Sequence, residues 1–256
     1  MQSLRVTFLG TGTSTGVPVP TCTCPVCASE DPHDARLRPS VRLEWTDASV
    51  LIDTSTDLRQ QALRYEINRI DAVLYTHAHA DHVLGLDELR LFNWRQKAPI
   101  PAFGSARTLD AVRRTFWYVF DDDPGEGTRP ALDLVPVDAA FELRGRKIVP
   151  IPVDHGRLPI LGWRVGRFAY LTDVSRIPAS SYPLLEDLDV LVLNALRSRP
   201  HPTHFTVAAA VIEAQRIGAR RTLLTHMSHE LPHAETSTRL PRGVELAYDG
   251  LVLELE

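Results

Sequence analysis

Three histidines and a carboxylate fall within six consecutive positions, His77, His79, Asp81 and His82, directly after the apolar run Ala72-Val73-Leu74-Tyr75. Neutral imidazole and carboxylate oxygen are good ligands for zinc and similar divalent ions. A strand ending in such a turn presents several donors to one side. The run therefore predicts a metal site that uses three of the chain's ten histidines. The plain alternative is a solvated polar loop with incidental histidines.

A second concentration of metal-binding chemistry precedes it. Cys22-Thr23-Cys24-Pro25-Val26-Cys27 holds all three cysteines of the chain. Three thiols this close together are a poor start for a disulfide framework and a better start for a zinc site. They converge readily on one tetrahedral ion, which then needs a fourth ligand from elsewhere, and such an ion can hold a loop that has little core of its own. The alternative is buried cysteine acting as a small apolar side chain.

The elements that must position these groups follow from periodicity and punctuation. Residues 4–9 read as a first strand, ended by glycines at 10, 12 and 16 in a tight turn whose amides are expected to face the site. Residues 41–45 and 49–53 alternate like a hairpin. Residues 53–57 then cap a helix through Leu58, Ala62, Leu63 and Tyr65. Asp53, at a strand end, is either a turn or cap residue or a carboxylate that orients a ligand histidine from behind. Val83, Leu86, Leu89 and Leu91 predict one amphipathic helix after the histidine run. A short strand follows at 99–104, then an aromatic-rich helix from Ala106 to Phe120, whose Phe116, Trp117 and Tyr118 suit a core or a dimer interface. Asp121 to Gly127 reads as a flexible acidic loop.

In the second half, strands near 132–135, 141–143 and 147–152 lead to His155. A hairpin of 162–165 and 168–171 ends at Asp173, and a strand at 190–193 ends at Asn194. A loop then carries Arg197, His201 and His204 to a helix from Val207 to Ile217, capped by Thr206 and closed by Gly218. A strand at 221–225 ends in His226 and His229, and strands at 244–247 and 251–254 finish the chain. Each strand delivers a polar residue at its carboxyl end, and that regularity matters more than any one residue in it.

With 44% apolar and 23% charged residues, the composition is that of an ordinary globular protein. A net charge of −4 provides no global basic field for nucleic acid. No apolar run reaches the length of a membrane span, and the opening residues lack the layout of a signal peptide, so the cytoplasm is the expected compartment. No linker or simple tandem repeat is visible, and residues 1–256 are read as one α/β domain.

Together these residues resemble the metallo-β-lactamase superfamily. The carriers are the His-x-His-x-Asp-His run at 77–82 and the downstream His155, Asp173 and His226, each at a strand end and in the family's order. The resemblance covers nearly the whole chain. It implies a four-layer αββα sandwich of two similar halves with a dinuclear metal site at one edge. His77, His79 and His155 would hold the first ion, Asp81, His82 and His226 the second, and Asp173 would bridge them. Within the superfamily the chain looks most like the PhnP-type phosphodiesterases, which hydrolyse phosphoribosyl 1,2-cyclic phosphate. That subgroup carries a structural zinc, matched here by Cys22, Cys24 and Cys27 in a loop at about 20–30 and by His229. It also has a histidine near the scissile phosphate, matched by His204. The bland reading of His204 is a polar residue flanking a helix cap.

The implied cofactors are two divalent ions, zinc or manganese, and one structural zinc. Two metals sharing a water would lower its pKa, and the hydroxide would attack a small cyclic phosphodiester in line. Asp81 would help position that water and His204 would donate a proton to the departing oxygen. Arg197 is a phosphate contact by charge and placement, or a surface arginine. His33, His201 and His233 match nothing in the subgroup and are expected at the surface, with His201 and His233 allowed at a pocket rim. A small phosphodiester is the expected partner, with a homodimer allowed for and neither membrane nor nucleic acid expected. Three alternatives share parts of the pattern. A tRNase Z-like RNA endonuclease shares His204-Phe205-Thr206, but its basic, glycine-rich arm is missing from this sequence. A thiolester, lactone or β-lactam hydrolase would use the same metals. A PqqB-like cofactor-pathway protein has a comparable cysteine loop.

Overall fold

Fourteen strands form two seven-stranded sheets in the computed structural model, which describes residues 3–123 and 127–256. Pro124, Gly125 and Glu126 of the expected acidic loop lie outside the described residues, as do Met1 and Gln2. The first sheet contains β1 (Leu4–Gly10), β2 (Ser40–Trp45), β3 (Ala48–Ile52), β4 (Ala72–Leu74), β5 (Ile100–Gly104) and β6 (Leu132–Pro136) in that spatial order. The second is built from β7 (Phe141–Leu143), β8 (Arg146–His155), β9 (Leu158–Val165), β10 (Phe168–Leu171), β11 (Val190–Asn194), β12 (Arg221–Thr225) and β13 (Val244–Leu246), also in that order. The last strand, β14 (Val252–Leu255), returns to the first sheet beside β1.

The apolar runs explain the layering. In β3, β10 and β11 every residue is buried, as expected of strands covered on both faces. Side chains alternate between faces with a period of two. Val50 and Ile52 therefore enter the core between the sheets, together with Trp163, Tyr170 and Val192. Leu51 and Val73 point the other way, onto the helices α1 (Leu58–Arg64), α2 (Ala80–Val83), α3 (Leu89–Gln96) and α4 (Ala106–Thr115). Leu171, Leu193 and Leu224 likewise meet α5 (Val207–Ile217), which precedes a short α6 (His233–Ser237). Three apolar clusters thus mark the three interfaces of an αββα sandwich. None of the described helices is long and apolar enough to cross a membrane.

The two halves repeat. From β1 to β6 the pairings run antiparallel twice and then parallel three times, and β8 to β13 run in the same sequence. Parallel strands bring their carboxyl ends to one edge, where open α/β sheets collect their ligand-binding groups. Asp53 follows β3 and Asp173 follows the corresponding strand β10, both with left-handed backbone, φ 63° and 60°. The Thr206 hydroxyl accepts from the Ala209 amide at 3.1 Å to start α5, and Gly218 closes it with φ 72°, as the punctuation of the sequence requires. That cap fixes the preceding loop, with His201 and His204, at the same edge.

Two helices differ from expectation. The helix after the histidine run is broken into α2, a 3-10 turn at Leu84–Glu88, and α3. Gly85 lies in this turn against the chain entering α1, where a Cβ would come 2.0 Å from the Ser55 carbonyl oxygen. Leu91 is consequently 58% exposed rather than part of the core. The aromatic helix stops at Thr115, and in the turn that follows Phe116 is buried while Trp117 faces solvent.

Trp163 is the largest fully buried side chain, and its indole Nε1 has no hydrogen-bond partner among the described residues. Trp163→Ala is expected to cost about 3–5 kcal/mol through the cavity it opens. Trp163→Phe is expected to cost only about 1 kcal/mol, because it also removes an unsatisfied N–H. Urea denaturation of the two variants measures the difference.

Candidate metal centre

The strand ends bring the predicted ligands together. Ligand atoms of His77, His79 and His155 lie within 4.8 Å of one another, as do those of Asp81, His82, Asp173 and His226. Asp173 joins the groups. Its carboxylate is 3.3 Å from His82 Nε2, 3.3 Å from His226 Nε2 and 3.9 Å from His77 Nε2. Asp81 lies 3.2 Å from His82 Nε2 and 3.4 Å from His226 Nε2.

Hydrogen bonds behind the rings fix which nitrogen faces inward. His82 Nδ1 donates to Asp53 at 2.7 Å. Asp53 also accepts from the Thr76 amide at 2.8 Å and from the Thr76 hydroxyl at 2.7 Å. With its proton given to Asp53, the Thr76 oxygen is left to accept from His77 Nδ1 at 3.0 Å. His155 Nδ1 donates to the Thr203 carbonyl at 2.8 Å. The Nε2 atoms of His77, His82 and His155 therefore turn their lone pairs into the centre, while His79 offers Nδ1, 3.0 Å from His77 Nε2. Of the two readings of Asp53, the orienting one matches these contacts. Asp53 aligns His82 directly and His77 through Thr76, while Asp57 stands at the N-cap of α1.

Lone pairs facing carboxylate oxygens repel unless a cation lies between them. The His82 Nε2 atom is buried with no hydrogen-bond partner among the described residues, although two carboxylates stand beside it. Burial opposes charge on His82, but where no cation lies between them Asp173, Asp81 and Asp53 outweigh it and raise its pKa well above that of ordinary histidine, so a proton takes the place at Nε2 that a bound cation would fill. Burial likewise works against ionised Asp173 and Asp81, yet the neighbouring imidazoles pull both below the usual carboxylate range. Burial drives His77 the other way, to a neutral imidazole. The donor set thus fits two divalent cations, one on each group of ligands, with Asp173 between them.

The cysteine loop forms a separate site. Sulfur atoms of Cys22, Cys24 and Cys27 lie 3.3, 3.5 and 3.4 Å from His229 Nδ1. Tetrahedral zinc with ordinary bond lengths places sulfur and nitrogen about 3.5 Å apart, so these contacts match the edges of such a site. The Cys27 amide donates to the Cys24 sulfur and draws its pKa down to about 6, whereas burial pushes Cys27 up to about 11. His226 and His229 are three residues apart on one loop, and each faces its own site.

His204 lies at the mouth of the centre. Its Nε2 is 3.2 Å from Asp173, its ring stacks on His226 at 5.0 Å, and burial lowers its pKa to about 4. His201, expected at the surface or at a pocket rim, is half-buried with Nδ1 3.1 Å from His204 Nδ1. Both line an open groove of about 790 Å³ with Arg157, Ser175 and Arg176. Arg197 extends toward Glu230 at 3.4 Å, and its Nη2 donates to the Pro200 carbonyl at 3.2 Å. His33 and His233 stack on each other at 4.7 Å, apart from both metal sites. Sequence reasoning missed the Thr76 hydroxyl and the Thr203 carbonyl. Thr76 had a signal, a hydroxyl residue adjacent to a ligand, but a main-chain carbonyl has none.

A sequence profile of the beta-lactamase superfamily domain matches residues 48–227. A crystal structure described as a new diphosphatase from the PhnP family is 46% identical, with a TM-score of 0.94 over 100% of this chain and 98% of that one. Zinc-bound PqqB from Methylobacterium extorquens shares the fold, with a TM-score of 0.80 at 20% identity over 98% of this chain and 100% of that one. A Porphyromonas gingivalis protein named octanoyltransferase is 43% identical over 97% of this chain but only 51% of its own length, so the chain spans about half of that relative. Ribonuclease Z of Mycobacterium sp. (strain KMS) is 24% identical over 96% of this chain and 94% of that one.

Asp53→Asn removes the charge that orients His82 and, through Thr76, His77. It is expected to weaken metal binding at the centre by about 10–100-fold, measured by chelator competition. His229→Ala is expected to remove one zinc per chain, counted by plasma mass spectrometry.

Proposed function

The chain belongs to the beta-lactamase superfamily, and on that premise we propose that it is a dinuclear metal-dependent phosphodiesterase that opens a small cyclic phosphodiester of the phosphoribosyl 1,2-cyclic phosphate kind. The observation that carries this reading is the Asp173 carboxylate, which reaches His77, His82 and His226 while His204 stands 3.2 Å from it. The similarity to a PhnP-family diphosphatase supports attack at phosphorus.

His77, His79 and His155 would hold one ion, Asp81, His82 and His226 the other, and Asp173 would serve both. Zinc or manganese suits these mixed donors. Bound metals supply an activated water and neutralise charge on the phosphoryl oxygens. The chain's own residues do the rest. Asp81 orients the water along the line of attack. As the water oxygen, one proton already lost to solvent, bonds to phosphorus, the bond to one ring ester oxygen breaks. His204 holds a proton at that departing oxygen, and the substrate's negative charge favours that proton on a ring that burial otherwise keeps neutral. Arg197 serves as a phosphate contact once it leaves Glu230. A reducing cytoplasm suits three cysteines that act as thiolate ligands.

A second reading follows from one observation. The relative at 46% identity is described as a diphosphatase, so cleavage of a P–O–P linkage is the competing reaction on the same centre. The thiolester and RNA-cleaving alternatives read from the sequence are further candidates, the latter supported by the similarity to ribonuclease Z.

Metal-quantified protein should hydrolyse cyclic ribose phosphate or 2′,3′-cyclic nucleotides and leave the thiolester and precursor tRNA intact. Turnover of an organic diphosphate alone would establish the second reading instead. His204→Ala should keep its metals and lose about 10²–10⁴-fold in kcat on an unactivated diester, but far less on a p-nitrophenyl diester, whose leaving group needs no proton.

A further inference from the structure

Outside the ligands, one buried charge touches the loop that supplies a ligand to each of the two metal sites. Arg36 lies between the cysteine loop and β2, and its side chain is wholly enclosed. The guanidinium donates from Nη1 to the Ser228 carbonyl at 2.9 Å and from Nη2 to the Leu231 carbonyl at 2.6 Å. Nη2 also reaches the Asp34 carboxylate at 3.0 Å, and Nε donates to the His33 carbonyl at 3.2 Å.

The backbone of Arg36 is tied as tightly. Its amide and carbonyl both pair with Val17 at 2.8 Å, just ahead of the cysteine loop. Gly12 packs against it so closely that a Cβ there would sit 2.8 Å from the Arg36 carbonyl oxygen. The glycine turn in its own right grips the loop after β12. Thr13 donates to the Met227 carbonyl at 3.1 Å, and Met227 donates to the Thr11 carbonyl at 2.9 Å.

Residues 226–231 supply His226 to one site and His229 to the other, and they belong to no strand or helix. Carbonyls buried in such a turn need donors from elsewhere. A guanidinium meets two of them with a rigid fork, which a lysine ammonium does not provide. His226 itself has φ 57°, a conformation that its surroundings must hold in place.

We propose that Arg36 is a positioning residue that sets the 226–231 loop so that His226 and His229 face their separate metals together, coupling the cysteine site to the catalytic centre. The inference rests on the assignment of those two metal sites.

Zinc and Co²⁺ titration of Arg36→Lys against the parent protein tests it. The near-ultraviolet thiolate–cobalt absorption reports on the Cys22, Cys24, Cys27 and His229 site. In the variant, the ion held by Asp81, His82 and His226 should bind about 10–100-fold more weakly and the thiolate band should shift. The ion held by His77, His79 and His155 should keep its parent affinity. Unchanged affinities, or a fall common to every site in step with a lower Tm, would overturn the proposal. Parent protein that binds no metal would defeat the metal-centre reading and this inference with it. Should Arg36→Lys fail to fold, Asp34→Asn, which loosens the guanidinium from one side, is read by the same criterion.

Discussion

Three carboxylates, Asp53, Asp81 and Asp173, are buried together at one edge of the sandwich, and the arrangement around them follows from that fact. A carboxylate removed from water is tolerated only where donors or cations replace its hydration. Asp53 is satisfied by Thr76 and His82. Asp81 and Asp173 face imidazole nitrogens, several of which are already committed to presenting lone pairs. A positive charge has to complete that set. The same electrostatic demand that would make the cluster costly in a resting core makes it a receptor for divalent metals.

Neither half of the molecule holds a complete site. The first contributes Asp53 and the run from His77 to His82, and the second contributes His155, Asp173, His204 and His226. The core between the sheets, centred on Trp163, Tyr170 and Ile52, is therefore what sets the distance between the two groups of ligands. Backbone strain is concentrated at the same edge. Asp53, Asp173 and His226 all adopt left-handed φ directly after or near a strand end. Such conformations persist only where packing and hydrogen bonding over-determine them.

Much of the fold was legible from local chemistry. The apolar runs at β3, β10 and β11 read as strands, and Thr206 and Gly218 bounded α5, because caps and apolar runs are written in neighbouring residues. The break between α2 and α3 was not legible. Its cause is the approach of Gly85 to the Ser55 carbonyl, a contact thirty residues away in the chain. The repeat of the halves was implied by the family resemblance alone, since it lies in strand pairing and not in residue identity.

The sequence by itself determined which metal donors exist, their order, and that four of them share one turn. Ligand spacing within a loop is local, so His77, His79, Asp81 and His82 and the three cysteines declared themselves. Tertiary structure alone decided which nitrogen of each histidine faces inward. It also decided that Asp53 bonds His82 directly and His77 through Thr76, that the Thr203 carbonyl accepts from His155, and that Arg36 donates to the Ser228 and Leu231 carbonyls. Those properties depend on partners brought close by sheet pairing across tens to nearly two hundred positions, and no local pattern encodes such a distance.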